Sequence, residues 1–194
     1  MSNAYHDIAF TDAVKARQEA RGSRASYAGH AEGPVHADAI GPAEAAFIAQ
    51  RDSVYLASVG ETGWPYVQHR GGPRGFIRVL DARTLGFAEF RGNKQYVTTG
   101  NIDGDDRVSF FFMDYANRRR LKLYGHARRV EIDAAPDLAA PYAGTRLEPR
   151  IEGALLIKVA ALDWNCPQYI TPRFTEEEIA ALVAQSQTDP GGPS

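Results

Sequence analysis

The chain has 194 residues, a formal net charge of −2 and a pI of about 6.2, with 44% apolar and 24% charged residues. This composition is typical of one globular domain with its own core, and it lacks the strongly basic character of nucleic-acid-binding proteins. The single cysteine cannot form an internal disulfide, and neither a signal peptide nor a membrane-spanning stretch is visible, so we expect a cytoplasmic protein.

The N-terminal part of the chain predicts an arm rather than core. Thr11 is a suitable N-cap for a polar, charged helix, and a loop rich in glycine, proline and histidine follows that helix. Pro42 then predicts the first residue of a short helix. We divide the chain into a helix and loop arm at 1–40, a domain at 41–174, and a C-terminal helix with a frayed tail at 175–194.

From residue 53 onwards, short β-branched and aromatic runs replace the helical pattern. "SVYLASV" predicts a strand buried on both faces, and the turn "GETG" joins it to "WPYVQHR" in a hairpin. Further strands are predicted at "FIRVL", "TLGFAEF", "RVSFFFMDY", "LKLYGHARRVEI" and "GALLIKVAALDW", and short helices at "KQYVTTGNI", "PDLAAPYAG" and "TEEEIAALVAQSQ". Because turns rather than helices join most of the strands, the pattern favours an antiparallel barrel over a doubly wound parallel sheet.

Common catalytic and metal-binding motifs do not occur. The chain has no P-loop, no dinucleotide-binding glycine fingerprint, no nucleophile elbow and no zinc-binding spacing. Of the five histidines, only His69 and His126 lie in predicted strands, where a structural role is the commoner one. We expect Cys166 to be buried and unreactive, because the sequence places no cation beside its thiol.

The stretch "FRGNKQ" places two cations, Arg91 and Lys94, in a polar turn between a strand and a helix. Such a turn by itself is more typical of a solvated surface than of a binding site. A phosphate placed there would nevertheless gain charge-assisted hydrogen bonds and the favourable end of the helix dipole.

Four segments in this order resemble the pyridoxamine 5'-phosphate oxidase-related proteins, the FMN-binding split barrels: "SVYLASVGETGWPYVQHRGG", "TLGFAEFRGNKQYVTTGN", "RVSFFFMDYANRRRLKLYGHARRVE" and "DWNCPQYITPRF". The resemblance extends from about residue 47 to residue 173, and it points to an uncharacterised branch with a "DWNCPQ" tail. It implies a mainly β protein with flanking helices, built as a six-stranded antiparallel split β-barrel. It also implies a homodimer that holds FMN at the subunit interface.

The resemblance assigns cofactor-binding positions as well. One subunit would lay the backbone of its second strand along the flavin ring and hold the phosphate in the following turn, through Gln68, His69, Arg70, Gly71, Arg91, Asn93, Lys94 and Gln95. The partner subunit would contribute Arg120 and Lys122, which share one face of a strand, and the tail residues Trp164, Asn165 and Gln168, with Arg173 as a further candidate.

Two departures from the family pattern concern activity. The family's oxidases carry Ser-Arg-Lys where this chain has Gly92, Asn93 and Lys94, so one guanidinium is missing from the phosphate turn. The C-terminal "R-x-H" substrate element is also absent, which argues against oxidation of pyridoxamine phosphate itself.

The functional prediction is therefore an FMN-dependent oxidoreductase that acts on an unknown small molecule, with NADH or NADPH as candidate reductants. No catalytic side chain is assigned, and the candidate proton donors Tyr66 and His69 would lie on opposite faces of one strand. Two alternatives stay open. One is a flavin carrier or sensor without turnover, and the other is a barrel that binds deazaflavin or haem, the latter through His69 or His126. A cofactor-free barrel explains the ordered motifs less well, and we expect no metal, nucleic acid or membrane partner.

Overall fold

The computed structural model of the chain describes residues 3–28, 37–164 and 166–188, and within them seven strands form one sheet with six α-helices around it. The helices are α1 (Asn3–Ala9), α2 (Asp12–Ala20), α3 (Arg24–Ala28), α4 (Pro42–Ala49), α5 (Val97–Gly104) and α6 (Glu176–Thr188). The strands are β1 (Ser53–Val59), β2 (Pro65–Gly71), β3 (Arg78–Asp81), β4 (Thr84–Phe90), β5 (Arg107–Asp114), β6 (Arg119–Val130) and β7 (Ile151–Trp164).

The strand order in the sheet is β2-β1-β5-β6-β7-β4-β3, and every neighbouring pair is antiparallel. The predicted antiparallel sheet with flanking helices is confirmed. The count of six strands that the resemblance implied is corrected to seven, because the short strand β3, predicted at "FIRVL", adds to the edge beside β4. The sheet is not closed, since β2 and β3 each pair with one neighbour only.

One face of the curved sheet supplies most of the core. In β5 the buried residues Val108, Phe110 and Phe112 alternate with partly exposed ones, as expected for a strand with one covered face. The strand β1 alternates in the same way, and the side chain of Tyr55 on its outer face is 38% exposed. The prediction that this strand is buried on both faces is therefore wrong for the single chain, because its apolar outer face has no covering layer.

Two predicted helices differ from those in the structure. The segment predicted as a helix at "PDLAAPYAG" forms separate 3₁₀ turns, Pro136–Leu138 and Ala140–Tyr142, because each proline lacks the N–H that a continuous helix would require. The helix predicted from residue 94 begins only at Val97. Residues 91–96 remain a loop, and this leaves the cations of the turn outside the helix.

The terminal helices follow their capping signals. Thr11 caps α2 and accepts a hydrogen bond from the backbone N–H of Val14 at 3.4 Å. Thr175 precedes α6, and it exchanges hydrogen bonds with Glu178 in both directions, which is a capping box. The helix α1 was not predicted, and its Tyr5 is buried against the outer face of the sheet. Within the described ranges, no helix combines the length and apolarity that a membrane crossing requires.

Candidate functional site

A small cleft opens where β2, the end of β4 and the beginning of α5 meet, and we call it the β2–α5 cleft. Its volume is about 80 Å³. Ligand pockets for molecules of drug size usually have roughly 300–1,000 Å³, so this cleft suits a phosphate-sized group rather than a whole cofactor. The predicted residues that line it are Gln68, Arg70, Asn93, Lys94 and Gln95. Residues that are distant in sequence are thus brought together as the resemblance implied.

The floor of the β2–α5 cleft is an ionic cluster centred on Glu89. Its carboxylate lies 3.3 Å from Arg70 Nη2 and 3.7 Å from Arg129 Nε, and the residue is 8% exposed. Burial raises the pKa of Glu89 above its ordinary value, although the charges of Arg70 and Arg129 oppose that rise. Arg70 Nε is also buried, and it has no hydrogen-bond partner among the described residues.

The rim of the cleft is the loop that carries Lys94. Both Lys94 and Tyr96 have positive φ angles, 60° and 51°, which non-glycine residues adopt rarely and which occur often at ligand sites. The backbone N–H of Gln95 donates to Asn93 Oδ1 at 3.2 Å and fixes the turn. Lys94 is exposed and forms no ion pair within the described part of the chain. Its charge is therefore available to an anion.

The helix α5 begins beside this loop and is fixed to the neighbouring strands. Thr98 Oγ1 donates to Gln68 Oε1 at 2.9 Å, and Asn101 Nδ2 donates to Ser58 Oγ at 3.0 Å. Tyr96 occupies the N-cap position but makes no side-chain cap hydrogen bond. The first N–H groups of α5 are thus uncapped by a side chain at the cleft, where they favour an anion.

The other residues predicted to hold the flavin from the same subunit are Arg91, which lies near the cleft, and His69 and Gly71, which do not line it. Arg91 is beside it, and its Nε is 3.9 Å from a carboxylate oxygen of Glu152. His69 lies on the opposite face of β2, where its ring packs edge-on against Tyr55 with the centroids 5.8 Å apart. Tyr66 lines the β2–α5 cleft, so the prediction that Tyr66 and His69 face opposite ways is confirmed.

The glycines at the end of β2 have a packing reason of their own. A Cβ atom at Gly72 would lie 2.7 Å from the Cβ atom of Phe76 and 3.0 Å from the hydroxyl of Tyr142. A Cβ atom at Gly71 would lie 3.2 Å from the imidazole of His69. The packing of Phe76 and Tyr142 therefore leaves no room for a side chain at residue 72.

The residues predicted to act from the partner subunit divide into two places. Arg120 and Trp164 line an open cleft at the other end of the sheet. The indole Nε1 of Trp164 donates to Glu44 Oε1 at 2.6 Å, and the ring packs edge-on against Phe47, so this side chain also anchors α4. Arg120 Nε is buried, with no hydrogen-bond partner among the described residues.

Lys122 lies on the same face of β6 as Arg120, as predicted, but it is engaged within the chain. Its Nζ donates to the hydroxyl of Tyr5 at 2.6 Å and lies 3.2 Å from Asp163 Oδ2. Burial alone would lower the pKa of Lys122, but the bonds to Tyr5 and Asp163 outweigh that effect and raise it. The ammonium group is therefore charged and held under α1.

The segment after β7 holds the last candidates. Gln168 and Cys166 are exposed, so the expectation of a buried cysteine is wrong. The guanidinium of Arg173 lies over the ring of Tyr115, 5.0 Å from its centroid. Asn165 lies outside the described residues. Across the described ranges, no three histidine, cysteine or acidic side chains are close enough together to hold a metal ion.

Comparison with known proteins identifies the family of the chain. The family model described as pyridoxamine 5'-phosphate oxidase matches residues 40–165 of the chain. The chain belongs to this family. Members of the family bind flavins and are typically dimers. A search of the curated proteins found no significant match.

Solved structures share the fold of the family at low sequence identity. A variant of HupZ from Group A Streptococcus has a TM-score of 0.51 and 16% identity, covering 65% of this chain and 99% of its own. An FMN-binding protein from Syntrophomonas wolfei has a TM-score of 0.49 and 13% identity, covering 62% and 81%. A putative pyridoxamine 5'-phosphate oxidase from Lactobacillus delbrueckii has a TM-score of 0.47 and 21% identity, covering 62% and 90%.

The β2–α5 cleft is chemically suited to the phosphate end of such a cofactor. Its donors are the ammonium of Lys94 and the Nε of Arg70, which have no partners among the described residues, and the uncapped beginning of α5. Two carboxylates, Glu89 and Glu152, line the cleft and offset the charge of Arg70 and Arg129, so Lys94 provides the excess positive charge. The cleft volume of about 80 Å³ is too small for a flavin ring.

Glu89, Arg129 and Thr98 shape the β2–α5 cleft, and the sequence reasoning missed all three. The signal for Glu89 is a lone acidic residue within the apolar run "TLGFAEF", because a buried carboxylate requires a cation nearby. Nothing in the sequence indicates that the cations would be Arg70 and Arg129, since they come from strands far away along the chain.

Proposed function

We propose that this chain is an FMN-binding flavoprotein that acts as an oxidoreductase on a small molecule, as a homodimer in a reducing cytoplasm. The observation that carries the proposal is the convergence of Gln68, Arg70 and Lys94 on the β2–α5 cleft beside the uncapped end of α5. These are positions at which the family resemblance implies flavin contacts, and their donors match a phosphate.

In this proposal the phosphate lies in the β2–α5 cleft. Lys94 and the first N–H groups of α5 bind it, and Arg70 turns its free Nε towards it. Asn93 and Gln95 set the loop conformation, and Arg91 adds positive charge beside Glu152. FMN would supply the hydride chemistry, and the chain would bind, orient and shield it.

The proposed dimer accounts for an apolar surface that the single chain leaves open. On the β1–β2 hairpin, Trp64 is 77% exposed, Val67 is 61% exposed and Tyr55 is 38% exposed. Contiguous apolar surface of this kind is typical of an interface. The cleft of about 80 Å³ lies on the other face of β2 and cannot hold the flavin ring, so in this proposal the ring lies across the edge of β2, between the two subunits.

The second subunit would contact the flavin ring through residues of β6 and of the end of β7. Arg120, whose Nε has no partner among the described residues, is the strongest cation for the pyrimidine edge, and Trp164 offers a ring for contact. Lys122 could contact the flavin only after its hydrogen bond to Tyr5 is broken. Asn165 and Gln168, from the segment after β7, are the other proposed contacts. His69 stands on the exposed face and remains a candidate proton donor.

The test is an absorbance spectrum of the purified full chain, recorded before and after addition of FMN and removal of the excess. We expect a two-band flavin spectrum that stays with the protein, at one FMN per subunit, and a dimer by light scattering. A protein that stays colourless would overturn the proposal. A Soret band would identify the bound cofactor as haem instead of FMN.

Activity needs a second measurement. Anaerobic addition of NADH or NADPH should bleach the bound flavin, and an electron acceptor should restore its colour. If the bound flavin is reduced neither by NADH or NADPH nor by small-molecule donors, the protein is a flavin carrier or sensor rather than an oxidoreductase. If the protein prefers a deazaflavin over FMN in a competition titration, the deazaflavin is the cofactor, and the assignment of the fold is unaffected.

A further inference from the structure

The C-terminal helix α6 carries an apolar stripe that is half exposed. Ile179, Leu182 and Val183 follow the three- and four-residue spacing of one helix face, and about half of each residue is accessible to water. From residue 176 to residue 185, Glu178 alone is partly buried. Most of the stability of a helix in a protein comes from packing of its apolar face, so this stripe is typical of a helix that lies on another surface.

A groove of about 600 Å³ lies where α4, β3 and the 3₁₀ turn Ala140–Tyr142 meet, and we call it the α4–β3 groove. Its apolar lining consists mostly of short side chains, from Ala45, Ala49, Ile77, Val79, Ala140 and Pro141. Short side chains leave a channel in which the ridge of larger side chains on a helix can lie. Within the described ranges no residue of α6 lines this groove, so groove and stripe are both open in the single chain.

The charges of the α4–β3 groove and of α6 have opposite signs. Arg74 and Arg78 are the charged residues among those that line the groove, and Arg78 forms no ion pair within the described part of the chain. The first turn of α6 consists of three glutamates, at 176–178, and residues 176–188 include no basic residue. Complementary potentials of this kind favour association between two surfaces and select against like-charged partners.

One ion pair already joins the two features within the chain. Arg74 Nη2 lies 3.8 Å from Glu178 Oε1, and both side chains are partly exposed. Ion pairs at the surface contribute little to stability, so exchanging this one for the same pair with another copy would cost little. The start of α6 thus fits the rim of the groove in charge, although its apolar stripe stays outside the groove.

We propose that α6 of one copy of this chain docks in the α4–β3 groove of a second copy. Its stripe would lie against Ala49, Val79 and Pro141, and its glutamates would face Arg74 and Arg78. A mutual exchange is a two-fold contact, in which each copy gives one helix and receives one. A second copy supplies the acidic turn and the apolar stripe together, and both exposed apolar surfaces become buried.

This contact goes beyond flavin binding and is separate from the dimer face proposed for it. The groove and the stripe include none of the residues proposed for FMN, and they lie outside the β1–β2 hairpin. The contact is therefore a second one between copies of the chain, and its test does not require bound flavin.

The experiment is a disulfide cross-link between two full-length chains in a Cys166→Ser background. A tagged chain with Ala49→Cys is co-expressed with an untagged chain that carries Ile179→Cys or Leu182→Cys. We expect mild oxidation to join the tagged to the untagged chain at one stripe position or both, because a disulfide requires Cα atoms about 4.4–6.8 Å apart. Ala181→Cys is the matched control, since it lies on the opposite face of the same helix and should give about tenfold less product.

Charge reversal tests the recognition between the two surfaces. Arg78→Glu in the tagged chain should lower the yield of the cross-link by about threefold or more, because the new carboxylate would face the glutamates of α6. Arg128→Glu makes the same change at an exposed position of β6 and should leave the yield unchanged. Equal yields for the two variants would overturn the charge complementarity on which the proposal depends.

The other outcomes also overturn the proposal. No cross-link at either stripe position, or equal yields for Leu182→Cys and Ala181→Cys, would show that the stripe does not enter the groove of another copy. In a chain that carries both Ala49→Cys and Leu182→Cys, a disulfide that forms only within that chain would place α6 in its own groove. A protein that takes up no FMN but gives the cross-link would contradict the proposed function and support this contact.

Discussion

Arg70 Nη2 on the edge strand β2 lies 3.3 Å from the carboxylate of Glu89 on β4, so this ion pair joins strands near the two opposite ends of the open sheet. No backbone ladder connects these strands, because β2 pairs only with β1, and β4 pairs with β7 and β3. The pair therefore closes the split of the barrel and also forms the floor of the β2–α5 cleft. Stability and the candidate site share the same two side chains.

The first prediction concerns this pair as a structural link. Arg70→Met should destabilise the fold by about 1–3 kcal/mol, because Glu89 would be left buried with Arg129 as its remaining cation. Urea unfolding of Arg70→Met, Glu89→Gln and the double variant would give a coupling energy of about 1 kcal/mol. Strictly additive losses of stability would mean that Arg70 and Glu89 lie close together without stabilising the fold through their interaction.

The second prediction concerns pH. Burial raises the pKa of Glu89 above its ordinary value of 4.5, so the folded chain keeps this proton to a higher pH than the unfolded chain does. The contribution of Glu89 to stability is then complete below pH 4.5 and is lost as pH rises through the raised pKa. In unfolding measurements at a series of pH values, Glu89→Gln should remove this decline. An identical pH profile in both proteins would contradict the raised pKa.

The third prediction concerns the phosphate turn. Lys94→Ala should weaken FMN binding by about 1–2 kcal/mol, a factor of about 5–30 in Kd, because one charge-assisted bond is lost. Lys158→Ala, at an exposed position of β7, is the control and should leave the Kd unchanged. Fluorescence titration with FMN measures both. An unaltered Kd for Lys94→Ala would mean that the turn does not bind the phosphate.

The fourth prediction concerns Tyr142. Its hydroxyl is buried without a hydrogen-bond partner among the described residues, and burial raises the pKa of Tyr142 to about 12. Tyr142→Phe should therefore stabilise the fold by about 1 kcal/mol, because it removes an unsatisfied polar group and keeps the ring. Tyr169→Phe, which removes the hydroxyl of a fully exposed ring, should stay within about 0.5 kcal/mol of the parent. A clear loss of stability in Tyr142→Phe would reveal a partner for the hydroxyl.

Local signals in the sequence were sufficient for most of the elements. Thr11 and Thr175 mark helix starts through their hydroxyl groups, and the aromatic run of β5 marks a strand. The order of four motifs was enough to indicate the family, which the match over residues 40–165 establishes. These properties depend on neighbours along the chain, so the sequence alone reveals them.

The tertiary structure decided which charged residues share a site. Lys94 and Arg70 meet in one cleft, whereas Lys122 is drawn under α1 by Tyr5 and Asp163. Glu89 could be recognised as unusual from its apolar surroundings, but its partners come from β2 and β6, which are remote in sequence. Ion pairs of this kind depend on strand order and register, and these are set by packing of the whole sheet rather than by any local pattern.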